Sequence, residues 1–428
     1  MALGIMKMEN EEMIVSGGPK SSQYKDTKEY KKGLLTGMLV ALFLVLVITL
    51  GKTIYSNLKF KRVIAEGQSS GSDVINGDVV KKISLIQQQI DKSYYDTYDT
   101  ETLRDGIYSG MVAALGDKYS TYYSPEDFQK VVDDTSGIYY GIGAYITMDE
   151  DTQLCIITGT IEGSPAEEVG LMAEDYIYMV DGVSTLGMES SDVVALIHGE
   201  EGTVVTLTII RGDEQMDVDV TRAKVESPTV EYEMLEDNIG YISISSFDLV
   251  TPDQFTDALA TLKGKGARGI IIDVRSNLGG SYDAVCQILR QILPEGIIVY
   301  TEDKYGNREE ETCDGTHELE LPLVVLTNGY SASASEILTG AIKDYKKGTI
   351  VGTTTFGKGI VQKLFPFTDG SAVKLTIANY FTPSGVCIHG TGIEPDIEVE
   401  LDYDSYVDKG IDNQLDAAVD EIHRIWEE

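Results

Sequence analysis

From residue 239 onward, runs of buried-strand composition alternate with helical runs. No other feature of this 428-residue chain restricts its fold as strongly. IGYISISSF, ARGIIIDVRS, LPLVVLTNG and GTIVGTTTFG are rich in branched apolar residues and bounded by turn formers. Between them lie TPDQFTDALATLKGKG, GGSYDAVCQILRQIL and SASASEILTGAIKDY, whose apolar residues recur at helical spacing. Strands joined by helices predict an α/β core with parallel strands over 224–400. In such sheets ligands bind beyond the carboxyl ends of the strands. Two loops take that position, RSNLGGS after IIIDV and NGYSASAS after LVVL.

The chain ahead of this core divides by texture. Residues 136–223 hold short β-rich runs, among them GIYYGIGAYITM and TVVTLTIIRGDEQMDVDV, with two brief helical stretches, PAEEVGL and SSDVVALIHG. They predict a small, mainly-β domain. Residues 78–135 read as helical, with start signals at Thr100 and at Ser124-Pro125. Residues 52–77 are a linker with a Gly- and Ser-rich stretch, and 1–32 form a polar tail. Between them, GLLTGMLVALFLVLVITL carries no charge. As a helix it would rise about 27 Å, enough to cross a bilayer core. One membrane anchor is therefore expected at 33–51. Lysines and arginines flank it equally, so the charge rule leaves its orientation open. The end, 401–428, predicts an amphipathic helix that packs on the core or pairs between subunits.

Charge and cysteine use exclude several classes. Seventy acidic against 34 basic residues give a net charge of −36, which argues against a nucleic-acid partner. Cys155, Cys286, Cys313 and Cys387 show no CxxC spacing and read as buried or incidental thiols. With no HExxH or paired metal-ligand motif, neither a metal nor another cofactor is expected.

The two loops supply the chemistry. A serine in NGYSASAS sits at a helix start, where backbone N–H groups can hold an oxyanion. Ser333 with Glu336 also fits the S-x-x-E capping box, so a purely structural role stands beside the chemical one. Gly279 and Gly280 lie at the other strand end, where a bare backbone can approach a reacting carbonyl or simply take a tight turn. In TTTFGKGIVQK, Lys358 lies between two glycines, four residues before Gln362. Burial beside Ser333 would lower its pKa and make it a general base, with Gln362 fixing the amine. A Ser–Lys pair needs no histidine. His198, His317, His389 and His423 carry no partner motif and the G-x-S-x-G elbow is absent, yet a Ser–His hydrolase stays open.

LGDKYSTYYSPEDF, GIYYGIGAYI, GSPAEEVGL, GYISISSF, IIIDVRSNLGG, NGYSASASEILTGA, VGTTTFGKGIVQ, YFTPSG and GTGIEPDI occur in that order across residues 80–400. In this the chain resembles the carboxy-terminal processing, or tail-specific, proteases, which are Ser–Lys peptidases with an inserted PDZ domain. The resemblance implies Ser333 as nucleophile, Lys358 as general base and Gln362 as its orienting group. It makes the Gly279 and Ala334 amides the oxyanion donors. Residues 136–223 become the PDZ domain, and Tyr140, Gly141, Ile142 and Gly143 its carboxylate-binding turn, facing protein substrates with unstructured C-termini. It also implies a single-pass membrane protein with its protease domain outside the cytoplasm and residues 1–32 inside. A homo-oligomer or an activating adaptor remains open as a partner.

The chain departs from the family pattern in places. Glu174 replaces a glycine in GLMAEDYI, His198 stands where arginine is common, and Val386 and His389 stand where Arg and Gln are frequent. None touches Ser333, Lys358 or Gln362, so a serine endopeptidase is expected. A catalytically silent, membrane-tethered PDZ scaffold is the alternative.

Overall fold

The computed structural model describes residues 74–428. The tail 1–32, the anchor 33–51 and most of the 52–77 linker lie outside the described residues. Among the described residues no helix is long and apolar enough to cross a membrane. The described chain falls into two units that divide after Tyr98. The first holds one helix, Gly77–Ser93, started by the Asn76 side chain, which accepts from the N–H groups of Asp78 and Val79.

The second unit begins with the helix Thr100–Ala113. Its N-cap is Asp99, one residue ahead of the Thr100 signal, with the Asp99 carboxylate accepting from the Thr102 N–H at 2.7 Å. Ser124 caps Pro125–Ser136 as expected. The α/β core is a six-stranded sheet in the order Val230–Met234, Ile239–Ile244, Gly269–Asp273, Leu323–Thr327, Thr349–Gly352, Ile397–Glu398. The first pair is antiparallel and the rest are parallel. Gly269–Asp273 and Leu323–Thr327 are buried along their whole length, as strands covered on both faces must be. Ile270, Ile272 and Val325 face one helical layer, while Ile271, Val324 and Leu326 face the other. Each such side chain contributes roughly 1.5–3 kcal/mol by leaving water.

The second layer includes the helix Asn413–Glu427, whose Ala418 and Ile422 are buried against the sheet. Of the two expectations for the C-terminal helix, packing on the core is what the fold shows. Just ahead of that helix, Asp412 accepts from the Arg275 guanidinium at 2.7 Å, and the Gln414 side chain accepts at 3.0 Å. The same guanidinium grips Asp273 at 2.6 Å. A second sheet of five strands, built on Ala372–Phe381, flanks the core and receives the short strand Thr121–Tyr123.

The mainly-β domain forms its own sheet, in the order Ala144–Asp149, Leu154–Thr160, Tyr176–Val180, Val204–Arg211, Glu214–Thr221. Its separate core centres on Ile157, Ile177, Leu207 and Ile209. The incoming strand Ile138–Gly141 pairs with the outgoing strand Ala223–Glu226, so the insertion starts and ends at one place. Ala144–Asp149 is an edge strand with one side unpaired. The glycine replaced by Glu174 has a physical consequence, since Glu174 sits at φ = +73°, a conformation that favours glycine. Glu174→Gly is expected to stabilise the protein by about 0.5–1 kcal/mol, the relieved strain exceeding the added unfolded-chain entropy. A shift in the denaturant midpoint at constant slope would register it.

Candidate active site

The serine turn follows the strand Leu323–Thr327. Asn328 braces it, accepting from the N–H groups of Ser276 and Tyr330 at 2.9 and 3.0 Å. The alternating serines then part by direction. Ser331 Oγ donates to the Val274 carbonyl and Ser335 Oγ to the Asn277 carbonyl, both at 2.8 Å and both fully buried. They lace this loop to residues 274–277, where the neighbouring strand ends and RSNLGG begins. Ser333, between them, is half-buried and lines a large cavity. Its backbone is strained, with φ 56° and ψ −110°, a geometry that costs about 1–3 kcal/mol and concentrates at functional sites.

Ser333 opens the helix Ala334–Asp344, and Glu336 lies in its first turn. Glu336 is fully buried. Its Oε2 accepts from the Ser333 and Lys358 N–H groups at 2.9 and 2.8 Å. Its Oε1 accepts from the Gly357 N–H and the Thr355 hydroxyl, both at 2.7 Å. One carboxylate therefore ties the serine turn to the lysine loop, beside the positive end of a helix dipole. The capping-box reading finds this acid but not its reach across to residues 355–358. A second tie was invisible in the sequence. The buried Tyr380 hydroxyl lies 3.0 Å from the Ser333 carbonyl and 2.6 Å from the Lys358 carbonyl.

Lys358 lines the same cavity and is half-buried. A Cβ on the following Gly359 would come 2.6 Å from the His389 nitrogen, so only glycine allows that close approach. Burial, and then the like charge of Lys374, push the Lys358 ammonium below its ordinary pKa, while Glu336 opposes them. Its Nζ rests 5.0 Å from the centre of the Tyr119 ring. Gln362 also lines the cavity, but its amide donates to the Ile360 carbonyl at 3.3 Å. Ser333, Lys358 and Gln362 thus share one cavity without a side-chain hydrogen bond between any two. Gly279, at φ = +107°, lies so close that a Cβ would come within 2.8 Å of Ser333 Cβ. Its N–H donates to Asn277 Oδ1 at 2.8 Å, whereas the Ala334 N–H has no acceptor among the described residues.

The cavity, about 1120 Å³, runs on to the mainly-β domain. Tyr140, Ile142 and Gly143 line it there, and Gly141 does not. The Ile142 and Gly143 N–H groups have no acceptor among the described residues, although both residues are buried. Beside them run the free edge at Ala144–Ile146 and the apolar Val194 and Ile197 of the helix Ser190–Ile197. Of the four histidines only His198 lines this cavity, stacked on Tyr139 at 5.2 Å. The four cysteines are free thiols, three of them buried. No cluster suited to a metal ion occurs among the described residues.

Comparison with known proteins matches three segments. Residues 238–399 match peptidase family S41, residues 156–211 a PDZ domain, and residues 48–127 the activating protease CtpB N-terminal domain. Fold and matches together define a serine-type peptidase that carries a PDZ domain. The chain is 38% identical over 338 residues to the carboxy-terminal processing protease CtpA of Bacillus subtilis, covering 78% of this chain and 72% of that protein. It is 34% identical over 384 residues to a probable CtpA-like serine protease of Staphylococcus epidermidis, covering 89% and 76%. Among solved structures it is similar to the photosystem II D1 C-terminal processing protease, at 30% identity, a TM-score of 0.44, and coverage of 74% and 86%. The chain belongs to the carboxy-terminal processing proteases of peptidase family S41.

Proposed function

We propose that this protein is a membrane-anchored, extracytoplasmic endopeptidase that takes protein C-termini in its PDZ domain and cleaves the chain through a Ser333 acyl-enzyme. The observation that carries this reading is the single cavity joining the Ile142–Gly143 amides to Ser333 and Lys358. Two unpaired buried N–H groups suit a terminal carboxylate, and the adjacent free strand edge suits an extended peptide. The uncharged run at 33–50 supports the anchor.

In this reading neutral Lys358 accepts the Ser333 proton as Oγ bonds to the scissile carbonyl carbon. The Ala334 and Gly279 amides receive the oxyanion, the latter after leaving Asn277. The Lys358 ammonium then protonates the departing amine as the C–N bond breaks. Water, deprotonated by the same amine, hydrolyses the ester. Gln362 orients Lys358 once it turns from the Ile360 carbonyl. The silent-scaffold alternative draws on one observation, the missing Ser333–Lys358 hydrogen bond. Such bonds are often loose before substrate binds.

The test is a quenched fluorescent peptide with an apolar, unstructured tail, offered with a free and with an amidated C-terminus. Cleavage is expected, with KM at least about tenfold higher for the amide, a loss of about 1.4 kcal/mol or more in binding. Equal KM for the two ends would remove tail recognition from the reading. Binding without cleavage of either would leave the scaffold.

A further inference from the structure

The Asp117–Ser120 turn belongs to the N-terminal helical region, yet it reaches the lysine loop. Asp117 holds the turn, accepting from the Tyr119 N–H at 3.0 Å and the Ser120 hydroxyl at 2.6 Å. Ser120 Oγ in turn accepts from the Thr376 N–H at 3.1 Å, fastening the turn to the strand Ala372–Phe381. This places the Tyr119 ring against Lys358 Nζ, 5.0 Å from the ring centre. That is within the range at which an aromatic face attracts an ammonium. The neutral amine gains nothing comparable. The contact therefore favours the protonated form and the position in which Lys358 makes no hydrogen bond to Ser333.

We propose that Tyr119 is a positioning residue for Lys358, a ring that holds the charged ammonium in the resting enzyme and sets how readily the neutral amine forms. This rests on the Ser–Lys reading above. The other charged and titratable groups around Lys358 are few. Lys374, on the neighbouring strand, repels it, and Glu336, from the serine helix, attracts it. Tyr380 meets its carbonyl. Lys118 lies 4.8 Å from the centre of the same Tyr119 ring, so two ammoniums share one ring. Burial and Lys374 favour the neutral amine, while Tyr119 and Glu336 favour the ammonium. Of these opposing groups only Tyr119 comes from outside the protease core. It gives the N-terminal region a direct hold on the base.

The test keeps ring shape and changes only its electrostatics. In the full chain in detergent, Tyr119 is replaced by Phe as reference, then by mono-, di- and trifluorinated Phe, each fluorine weakening the negative ring face. Two quantities are read against pH. One is acetylation of Lys358 by acetic anhydride, followed by mass spectrometry, which reports its pKa without catalysis. The other is peptide cleavage. Across the series the acetylation midpoint is expected to fall by roughly half a unit to one unit, and the rising limb of the rate to move with it. A fixed midpoint in every fluorinated variant, with Lys358→Ala inactive, overturns the proposal and leaves the Ser–Lys reading standing. A moving midpoint with a fixed rate limb overturns the kinetic role of Tyr119. If Lys358→Ala then retains that limb, the Ser–Lys reading has failed as well.

Discussion

Replacing Lys358 by Ala is expected to lower kcat/KM for tail cleavage by about four orders of magnitude, with little change in thermal stability. Ser333→Ala should cost as much. The double variant should be no worse than either single one, because the two groups act on one proton. The pH dependence of the wild type carries the sign. Only the neutral amine accepts a proton, so the rate rises with pH along one limb. Because burial and Lys374 lower the Lys358 pKa, that limb lies below the ordinary lysine range. A flat profile between about pH 6 and 9, with chemistry limiting, would count against a lysine base. So would an active Lys358→Ala variant. His317→Ala, His389→Ala and His423→Ala, all outside the cavity, should cleave at near the wild-type rate.

Glu336→Ala should be the most damaging single change away from the nucleophile and base. It removes the acceptor of four hydrogen bonds inside a fully buried pocket. Breaking a buried charged network costs about 3–5 kcal/mol, and the orphaned donors join both catalytic loops. Loss of stability together with at least a hundredfold loss of kcat is expected, since small misplacements at a reacting centre cost about that much. Glu336→Gln keeps the size but aims an amide NH₂ at two N–H donors, so it should rescue little. Denaturant titration beside steady-state kinetics separates the two losses. A stable Glu336→Ala variant with wild-type kcat would show that the loops hold their positions without it.

The sequence already disclosed the core. Runs such as GIIID and LVVLT have few folds open to them, because strands with no polar face must be covered on both sides. The SASAS alternation was legible as a turn and capping box, and a resemblance, not the spacing, singled out Ser333. Only the fold shows why: Ser331 and Ser335 spend their hydroxyls on the Val274 and Asn277 carbonyls. Glu336 looked like a local cap because three of its four donors come from residues 355–358. Tyr119 and Tyr380 were not legible as site residues at all. Their contacts with Lys358 depend on how the flanking sheet lies against the core, and no periodicity encodes that. Glu174 was visible as a departure from pattern, but its backbone strain was not.

The Arg275 clamp has a meaning for biosynthesis. Asp412 and Gln414 are translated well after the loop that carries Gly279, and after Ser333 and Lys358. Until they leave the ribosome, Asp273 is the one side chain present of the three that the Arg275 guanidinium bonds in the fold. A nascent chain halted before residue 412 would hold every proposed catalytic residue and the ties from Asn328, Ser331 and Ser335, yet lack the far side of the Arg275 clamp. The order of synthesis thus leaves this one brace on the glycine loop to a segment made near the end of the polypeptide.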